Sequence, residues 1–319
     1  MDNLKFNNVY ISNYFTIVGP KEKESKLKNY NLAFDNYYFG EKTFELAEIK
    51  IQKTILDNLI NNKTELILGA DLINQISISS YSSKNRKIPF IGVYSACASF
   101  VEELLIASTL IDSKKFKNIL CLTSSHSLTA ERQYRYPVEY GNFKPHTATC
   151  TLTGGVGAVL TKDKTNLKII SGTFGKIIDL GINDVNNMGA IMAPACADTL
   201  HNHLVNKNLE LNDYDLILTG DLGKVGLEIL KDYYEKTYGE KLNKIIDSSS
   251  EIYYDDQNMY AGGSGPCCLP ILFFTRIINQ KKYKKILLLG TGSLHSSVLV
   301  NEKQTIPAIC HAVDIEVIE

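Results

Sequence analysis

The chain has 319 residues, of which 44% are hydrophobic and 22% charged, and its formal net charge is −1. These values are typical of a globular protein with a substantial core, and the balanced charge argues against nucleic-acid binding. No apolar stretch approaches the roughly 20 residues of a membrane-spanning helix, and the N-terminus lacks the apolar core of a signal peptide. We therefore expect a chain that is synthesised in the cytoplasm.

The seven cysteines lack the CxxC spacing that is typical of zinc sites. In a reducing compartment such cysteines are usually free thiols rather than a disulfide framework. We expect neither a bound metal nor a cofactor. The cysteines are Cys97, Cys121, Cys150, Cys196, Cys267, Cys268 and Cys310.

In chain order, the first half alternates helices with apolar strands. FELAEIKIQKTILDNLI (44–60) has the spacing of an amphipathic helix, and ELILGADLINQ (65–75) is a short apolar strand followed by an acidic turn. CASFVEELLIASTLI (97–111) again predicts a helix, and NILCLT (118–123) predicts a strand. Strands that read as continuous apolar runs between helices indicate parallel sheets covered by helices.

The second half repeats this order. ELILGADLINQ (65–75) matches DLILTGDLGKV (215–225), and KKFKNILCLTSSHS (114–127) matches KKYKKILLLGTGSLHS (281–296). Internal similarity of this kind constrains the architecture more strongly than any single element does. We therefore predict two similar halves.

We place these halves at residues 1–165 and 166–319. Two similar α/β halves packed about a pseudo-twofold axis form a five-layered αβαβα sandwich, which is the thiolase-like architecture. The fold class predicted from the sequence is therefore α/β and thiolase-like.

Cys97 lies where the helix of residues 97–111 begins. A helix N-terminus favours a thiolate and an oxyanion, so an acyl-transferring cysteine would suit this position. The alternative is that Cys97 is only a small buried residue between two alanines. Both interpretations remain open at this point.

Condensation or thiolysis on an acyl-cysteine also requires bases, usually His with His or His with Asn. The repeat places Thr219 to Asp221 and Gly262 to Gly265 where the second half would supply them, with Ser264 opposite Cys97. Neither segment contains His or Asn. The sequence thus predicts a cleft that kept its cysteine position and lost its bases, and Gly263 and Ser264 are candidate lining residues.

Among the histidines, His126 is the best candidate for the same crevice because it follows a strand of the Cys97 half. Ligands of open α/β sheets bind beyond the carboxyl ends of strands. We interpret His295 and His311, which precedes the last predicted strand, as structural residues. His201 and His203, on a polar helical stretch, are expected to be exposed.

Several strings together resemble the stage V sporulation protein AD family of endospore-forming bacteria, and the resemblance covers nearly the whole chain. These strings are YSACASFVE, TSSHSLTAERQYRYPVEYG, DLGINDVNNMGAIMAPACADT, TGDLGKVG and AGGSGPC. The resemblance implies a thiolase-like protein, related to β-ketoacyl synthases, that binds dipicolinic acid. It also implies work with other stage V A proteins, which carry calcium dipicolinate across the spore inner membrane, and a location peripheral to that membrane. Related condensing enzymes are commonly homodimers.

Dipicolinate is a small planar dianion, so its site should offer cationic donors, helix-start amides and a flat apolar wall. Asp221 would repel a bare dianion; it could hold a turn, pair with Lys224 or share calcium with the ligand. One carboxylate falls far short of the roughly 6 to 8 oxygens that calcium takes. The remaining candidates near the crevice are Arg132, Arg135, Lys176, Asn187 and Met188.

Two other functions stay open. The chain could be a cysteine acyltransferase of the β-ketoacyl synthase type that uses His126 or His311 as its base. It could also be a scaffold that only docks partner subunits at the membrane.

Overall fold

The structure is a computed structural model that describes residues 4–134 and 144–318. Its strands are β1 (Leu4–Lys5), β2 (Tyr10–Val18), β3 (Leu32–Ala33), β4 (Leu66–Ala70), β5 (Phe90–Gly92), β6 (Asn118–Ser125), β7 (Thr149–Thr151), β8 (Gly154–Thr161), β9 (Leu167–Thr173), β10 (Leu216–Thr219), β11 (Ile245–Asp247), β12 (Gly262–Ser264), β13 (Lys285–Ser293) and β14 (Ala308–Val317). Its α-helices are α1 (Pro20–Lys23), α2 (Phe44–Leu59), α3 (Ser77–Ser83), α4 (Ser99–Asp112), α5 (Ser127–Tyr134), α6 (Met188–Lys207), α7 (Gly223–Tyr238), α8 (Ser248–Ile252), α9 (Cys268–Leu272) and α10 (Ser297–Asn301).

The strand order is the same in the two parts of the chain. The first part runs β5-β4-β6-β8-β2, and the second runs β11-β10-β13-β14-β9. Leu66–Ala70 and Leu216–Thr219, which the sequence repeat pairs, therefore occupy equivalent positions. The point between residues 165 and 166 falls in the connection from β8 to β9, and this division of the chain stays a prediction.

The sheets are mixed, so the expectation of parallel sheets was wrong for the last strand of each half. β4 is parallel to β5 and β6, whereas β8 is antiparallel to β6 and β2. In the second half β14 is likewise antiparallel to β13 and β9. The connections from β6 to β8 and from β13 to β14 return to the neighbouring strand, and an antiparallel pair needs no crossover helix.

Helix α4 forms the central layer between the two halves. It packs against β6 of the first half and against β13 and β14 of the second. Its side chains Phe100, Leu104 and Leu105 are buried in a core shared with α9. Helix α2 covers the outer face of the first half, and α6 with α7 covers the outer face of the second. This order of helix and sheet layers confirms the thiolase-like αβαβα fold.

Two glycines allow α6 and α7 to approach closely. A Cβ on Gly226 of α7 would lie 2.6 Å from the Cα of Gly189 in α6, and a Cβ on Gly189 would lie 2.3 Å from the Leu222 carbonyl oxygen. Helix α6 begins at Met188 and α7 begins two residues after Asp221. The contact therefore fixes the relative position of two segments that carry candidate site residues.

His203 is buried, so the expectation that it is exposed was wrong. Its Nδ1 lies 2.8 Å from Thr173 Oγ1, and its Nε2 lies 3.0 Å from Tyr214 Oη and 3.2 Å from Asp314 Oδ1. His203 shares a helix face with Leu200 and Leu204, which are also buried. This helical spacing indicates burial more reliably than the polarity of the stretch does.

We expect Gly226→Ala to destabilise the protein. In an exposed helix this change would add about 1 kcal/mol of stability, but here the new methyl group meets the Gly189 backbone, and such overpacking costs about 1–3 kcal/mol. Urea unfolding should show a lower midpoint. Thr237→Ala, at an exposed position of the same helix, is the control and should leave the midpoint unchanged or slightly higher. A midpoint for Gly226→Ala at or above the parent value would contradict the close contact.

Candidate functional site

Cys97 lies in a constrained turn immediately before α4. The Ser95 N–H donates to Ser99 Oγ at 2.9 Å, and Ser99 Oγ donates to the Ala96 carbonyl oxygen at 2.7 Å. Ala96 has a left-handed φ of 50°, a conformation that costs about 1–3 kcal/mol and is concentrated at functional sites. The turn thus holds Cys97 at the helix start, where it is partly exposed.

The second half packs directly against this turn. A Cβ on Gly292 of β13 would lie 2.2 Å from the Ser95 carbonyl oxygen, and a Cβ on Gly290 would lie 2.6 Å from Val101 Cγ2. Only glycine fits such an approach between a strand and a turn. Cys97 therefore lies where the two halves meet.

Cys97 lines a narrow pocket that both halves form. The first half contributes the turn itself, α5 and β7, and the second half contributes the start of α6, β12 and the segment after β13. Within the described residues, its wall offers hydroxyl groups and aromatic rings but neither lysine nor arginine. Besides Cys97, the lining residues are Leu72, Tyr94, Ala96, Ala130, Glu131, Tyr134, Thr151, Met188, Ser264, Ser293 and His295.

A wider groove of about 480 Å³ adjoins this pocket. The groove shares four lining residues with the pocket, Leu72, Tyr94, Tyr134 and His295. The Cys97 pocket is therefore the inner end of a larger cavity.

Asp221 is a buried acid beside Cys97. Neither carboxyl oxygen forms a hydrogen bond of good geometry with a described residue. Burial and the charge of Asp247 raise its pKa well above the usual range, although the thiols of Cys268 and Cys97 and the Gly265 N–H act in the opposite direction. We infer that the Asp221 carboxyl is neutral, since an unpaired buried carboxylate is costly.

Asp247 fixes the turn that carries Asp221. It accepts hydrogen bonds from Thr219 Oγ1 at 2.8 Å, Leu222 N at 3.0 Å and Gly223 N at 2.9 Å. Burial raises the pKa of Asp247 to about 6, against these hydrogen bonds. These hydrogen bonds fix the turn after β10, and Asp221 therefore has little freedom to leave its position.

Glu131 contributes a carboxylate to the pocket wall. Its Oε1 accepts from Thr151 N at 3.1 Å, and its Oε2 accepts from Lys144 Nζ at 2.6 Å. Because Lys144 compensates the charge of Glu131, this part of the wall is close to neutral.

The structure brings together four of the residues predicted from the sequence. Cys97, Met188 and Ser264 line the same pocket. Asp221 does not line it but lies beside Cys97. Ser264 reaches the pocket because β12 pairs in parallel with β7, which places it opposite Thr151.

Gly263 and Asn187 have local roles. A Cβ on Gly263 would lie 3.0 Å from Tyr253 Cε2, so this glycine allows close packing behind β12. Asn187 caps α6, where its side chain accepts from the Ala190 N–H at 3.4 Å. It sits next to Met188 but is not among the residues that line the pocket.

Three of the four predicted cations belong to the described residues. All three form surface ion pairs, and none of them lines the Cys97 pocket. Lys224 instead borders a separate cavity with Tyr254. Arg135 lies outside the described residues. Arg132 pairs with Glu45, Lys176 with Asp198 at 3.1 Å and Lys224 with Asp255 at 2.6 Å.

His126 is packed in an aromatic cluster rather than in the pocket lining. Its ring stacks on Phe44 with centroids 5.2 Å apart, and its Nε2 lies 2.8 Å from the Tyr37 carbonyl oxygen. Burial lowers its pKa to about 4. His126 is therefore a neutral core residue in this structure.

The imidazole in the pocket belongs to His295, which sequence reasoning had treated as structural. The repeat contained a partial signal, because the offset that pairs Cys97 with Ser264 pairs His126 with Ser293, and His295 lies just beyond that position. Sequence reasoning also missed Tyr94 and Tyr134. Tyr94 stands only three residues before Cys97, whereas nothing in the sequence places Tyr134 near it.

His311 lies within β14, so the expectation that it precedes the last strand was wrong. Its Nδ1 accepts from the Gly175 N–H at 3.1 Å, and its Nε2 lies 3.4 Å from Ser95 Oγ. Burial lowers its pKa to about 4. His311 thus supports the Cys97 turn from behind as a neutral ring.

The described residues contain neither a membrane-spanning helix nor a cluster of metal ligands. None of their helices has the length and hydropathy to cross a bilayer. No group of three or more His, Cys, Asp or Glu side chains in the same part of the chain is arranged to hold a metal ion.

We expect Asp221→Asn to stabilise the protein, and more so at pH 8 than at pH 4. The folded-state pKa of Asp221 is raised above its unfolded value, so the stability of the parent falls as pH rises above about 4, where the unfolded chain ionises. An unsatisfied buried polar group costs about 1–3 kcal/mol, and the amide carries no charge. Thermal unfolding across this pH range measures the difference. Asp232→Asn, on the exposed face of α7, is the control, and an Asp221→Asn gain that does not grow with pH would contradict a neutral Asp221.

The fold is shared with solved condensing enzymes. A histidine-to-asparagine variant of OleA from Xanthomonas campestris superposes with a TM-score of 0.62 at 13% identity, covering 98% of this chain and 99% of that chain. The 3-oxoacyl-(acyl carrier protein) synthase III of Xanthomonas oryzae gives a TM-score of 0.59 at 14% identity, covering 98% and 100%. At such identities the likeness shows the fold alone.

Sequence similarity is closer to sporulation proteins. Stage V sporulation protein AD of Bacillus subtilis is 38% identical over 318 residues, which cover 97% of this chain and 94% of that protein. The sequence model of the family described as stage V sporulation protein AD matches residues 3–316. The chain therefore belongs to the stage V sporulation protein AD family.

Proposed function

We propose that the protein is a catalytically degenerate thiolase-like protein that binds dipicolinic acid in the Cys97 pocket. The observation that carries the proposal is the composition of this pocket. The thiol position is kept at a helix start, while the turn after β10 and strand β12 bring Asp221 and Ser264 instead of bases.

The pocket suits a flat ligand with oxygen acceptors. Tyr94, Tyr134 and His295 supply ring faces, and Ser264 and Ser293 supply hydroxyl donors. A planar pyridine ring with two carboxylates matches these flat walls and donors in chemistry. The pocket has a volume of only about 40 Å³, so its walls must move apart to admit the ligand.

The charge of the ligand must be compensated within this pocket. The described lining contains neither lysine nor arginine, and Glu131 is already paired with Lys144. A neutral Asp221 does not repel a carboxylate as an ionised one would. We therefore propose that the bound form is calcium dipicolinate, whose charges cancel and whose calcium takes oxygen ligands.

Family membership supports a role for this binding. We propose that the protein, as a peripheral component and a homodimer, works with other stage V A proteins at the spore inner membrane in the movement of calcium dipicolinate during sporulation and germination. Family membership and the pocket support this role. The pocket would then load or deliver the small molecule without changing it.

One observation favours an enzyme as the second candidate. His295 and Cys97 line the same pocket, and the solved relatives in fold are condensing enzymes. An imidazole near a thiol is the arrangement that activates a cysteine. A cysteine acyltransferase that uses His295 is therefore the function against which the binding proposal must be tested.

We expect calorimetric titration to detect saturable dipicolinate binding that tightens when calcium is present. Cys97→Phe should abolish binding because the larger side chain fills the narrow pocket. Ser293→Ala should weaken it about tenfold to a hundredfold, the loss of one hydrogen bond to a charged ligand. Lys164→Ala, at an exposed position, is the control. Unchanged binding by a folded Cys97→Phe protein would place the ligand elsewhere, and equal binding in a chelator would remove calcium from the proposal.

We also expect no steady turnover of acetyl or malonyl thioesters. General acid–base help is worth about 10² to 10⁴ in rate, and the turn after β10 and strand β12 lack the expected bases, which leaves His295 as the imidazole in the described pocket lining. Turnover that is lost in both Cys97→Ala and His295→Gln would establish the acyltransferase instead. Lys164→Ala again serves as the matched control.

A further inference from the structure

A neck separates the Cys97 pocket from the wider groove. The two cavities share Leu72, Tyr94, Tyr134 and His295. Tyr94 comes from the segment before Cys97, Tyr134 ends α5, and His295 follows β13. These four residues border both cavities, so they lie where the groove meets the pocket.

Hydrogen bonds close the neck. The hydroxyl oxygens of Tyr94 and Tyr134 lie 2.9 Å apart, and Tyr134 Oη donates to the Leu72 carbonyl oxygen at 2.5 Å. Because the Tyr134 proton is used on Leu72, Tyr94 donates to Tyr134. Burial raises the pKa of both phenols, so both keep their protons.

The same contacts join the end of α5 to the segment after β4. Gln133 Nε2 donates to the Leu72 carbonyl oxygen at 2.9 Å, and Gln133 Oε1 accepts from the Asn74 N–H at 3.1 Å. The neighbouring residues Gln75 and Ile76, which line the groove, have left-handed φ values of 62° and 46°. For a β-branched residue this conformation is strained, and strained backbone is common beside ligand clamps and switches.

Aromatic rings pack together at the neck. The rings of Tyr134 and His295 lie 5.5 Å apart between centroids with an interplanar angle of 52°, so they are in contact. Tyr94, which also lines the groove, is 43% exposed. Side chains in contact therefore close the neck in this structure.

We propose that Tyr94 and Tyr134 form a gate that controls access of ligands to the Cys97 pocket. The hydrogen bond between their hydroxyls breaks when a ligand enters and forms again behind it. The gate determines the rate of access, while the pocket beyond it provides the affinity. Only the identity of the natural ligand rests on the proposed function.

The reaction of Cys97 with N-ethylmaleimide, a planar ring-sized reagent, tests the gate without dipicolinate. Peptide mass spectrometry measures the rate at each cysteine. Tyr134→Phe removes both hydrogen bonds of the gate and should speed Cys97 labelling about fivefold or more. Tyr94→Phe removes one of them and should have a smaller effect of about two- to tenfold. Tyr81→Phe, on exposed α3, is the matched control and should leave the rate unchanged.

Other cysteines of the same chain provide internal controls. Cys121 is fully buried in β6, and its labelling reports loss of folding. Should Tyr134→Phe also speed Cys121 labelling, Tyr94→Phe carries the test, because it leaves the bond from Tyr134 to Leu72 intact. Equal Cys97 labelling in the parent and in the folded variants would overturn the gate.

A second readout separates the gate from the proposed function. Dipicolinate with calcium should protect Cys97 in the parent, and its association and dissociation rates should both rise in Tyr134→Phe with little change in affinity. Faster labelling without any protection would leave the gate standing and reject dipicolinate as the ligand. Weaker affinity that comes from faster dissociation alone, with an unchanged association rate, would make the tyrosines direct ligands and reject the gate.

Discussion

The site depends on one backbone contact between the halves, the approach of the β13 glycines to the turn that holds Cys97. Gly290 and Gly292 leave no room for a Cβ, so the second half presses directly on the start of α4. The turn on which the second half presses contains Ala96 in its left-handed conformation, and Cys97 follows it at the meeting point of both halves. The pocket, the neck and the position of His295 all follow from the same packing, because β13 also carries the segment to His295.

Within this frame, the second half has changed the chemistry of the cleft. Asp221 occupies the turn after β10 as a buried acid, and Ser264 follows the glycines of β12. A neutral acid and a hydroxyl can hold a ligand but are poor partners for activating a thiol. Burial, rather than a nearby cation, decides the state of Asp221, and the cations expected at the site are used in ion pairs on the surface. These properties support the proposed binding role, which has to be tested against an enzymatic role for His295 in the same pocket.

Positions fixed by the repeat were predictable. The match of residues 65–75 with 215–225 placed β4 and β10 correctly. The repeat also paired Cys97 with Ser264, and both residues line the pocket. Met188 was found because the resemblance drew attention to its loop. Arg132, Lys176 and Lys224 were candidates by charge alone, and charge does not reveal a partner such as Glu45 or Asp198. His126 directly follows β6 and His295 is the second residue after β13, but this pattern did not show which of the two rings faces the pocket.

The sequence by itself determined the layered fold and the pairing of its halves, because apolar periodicity and an internal repeat are local properties that survive in a string of letters. Only the tertiary structure decided which of these two histidines faces the cleft, and that Asp221 is buried beside the thiol. It also decided that Tyr134 meets Tyr94 across the neck. These outcomes depend on the direction in which side chains leave elements that are distant in the chain, and that direction is set when the two halves pack.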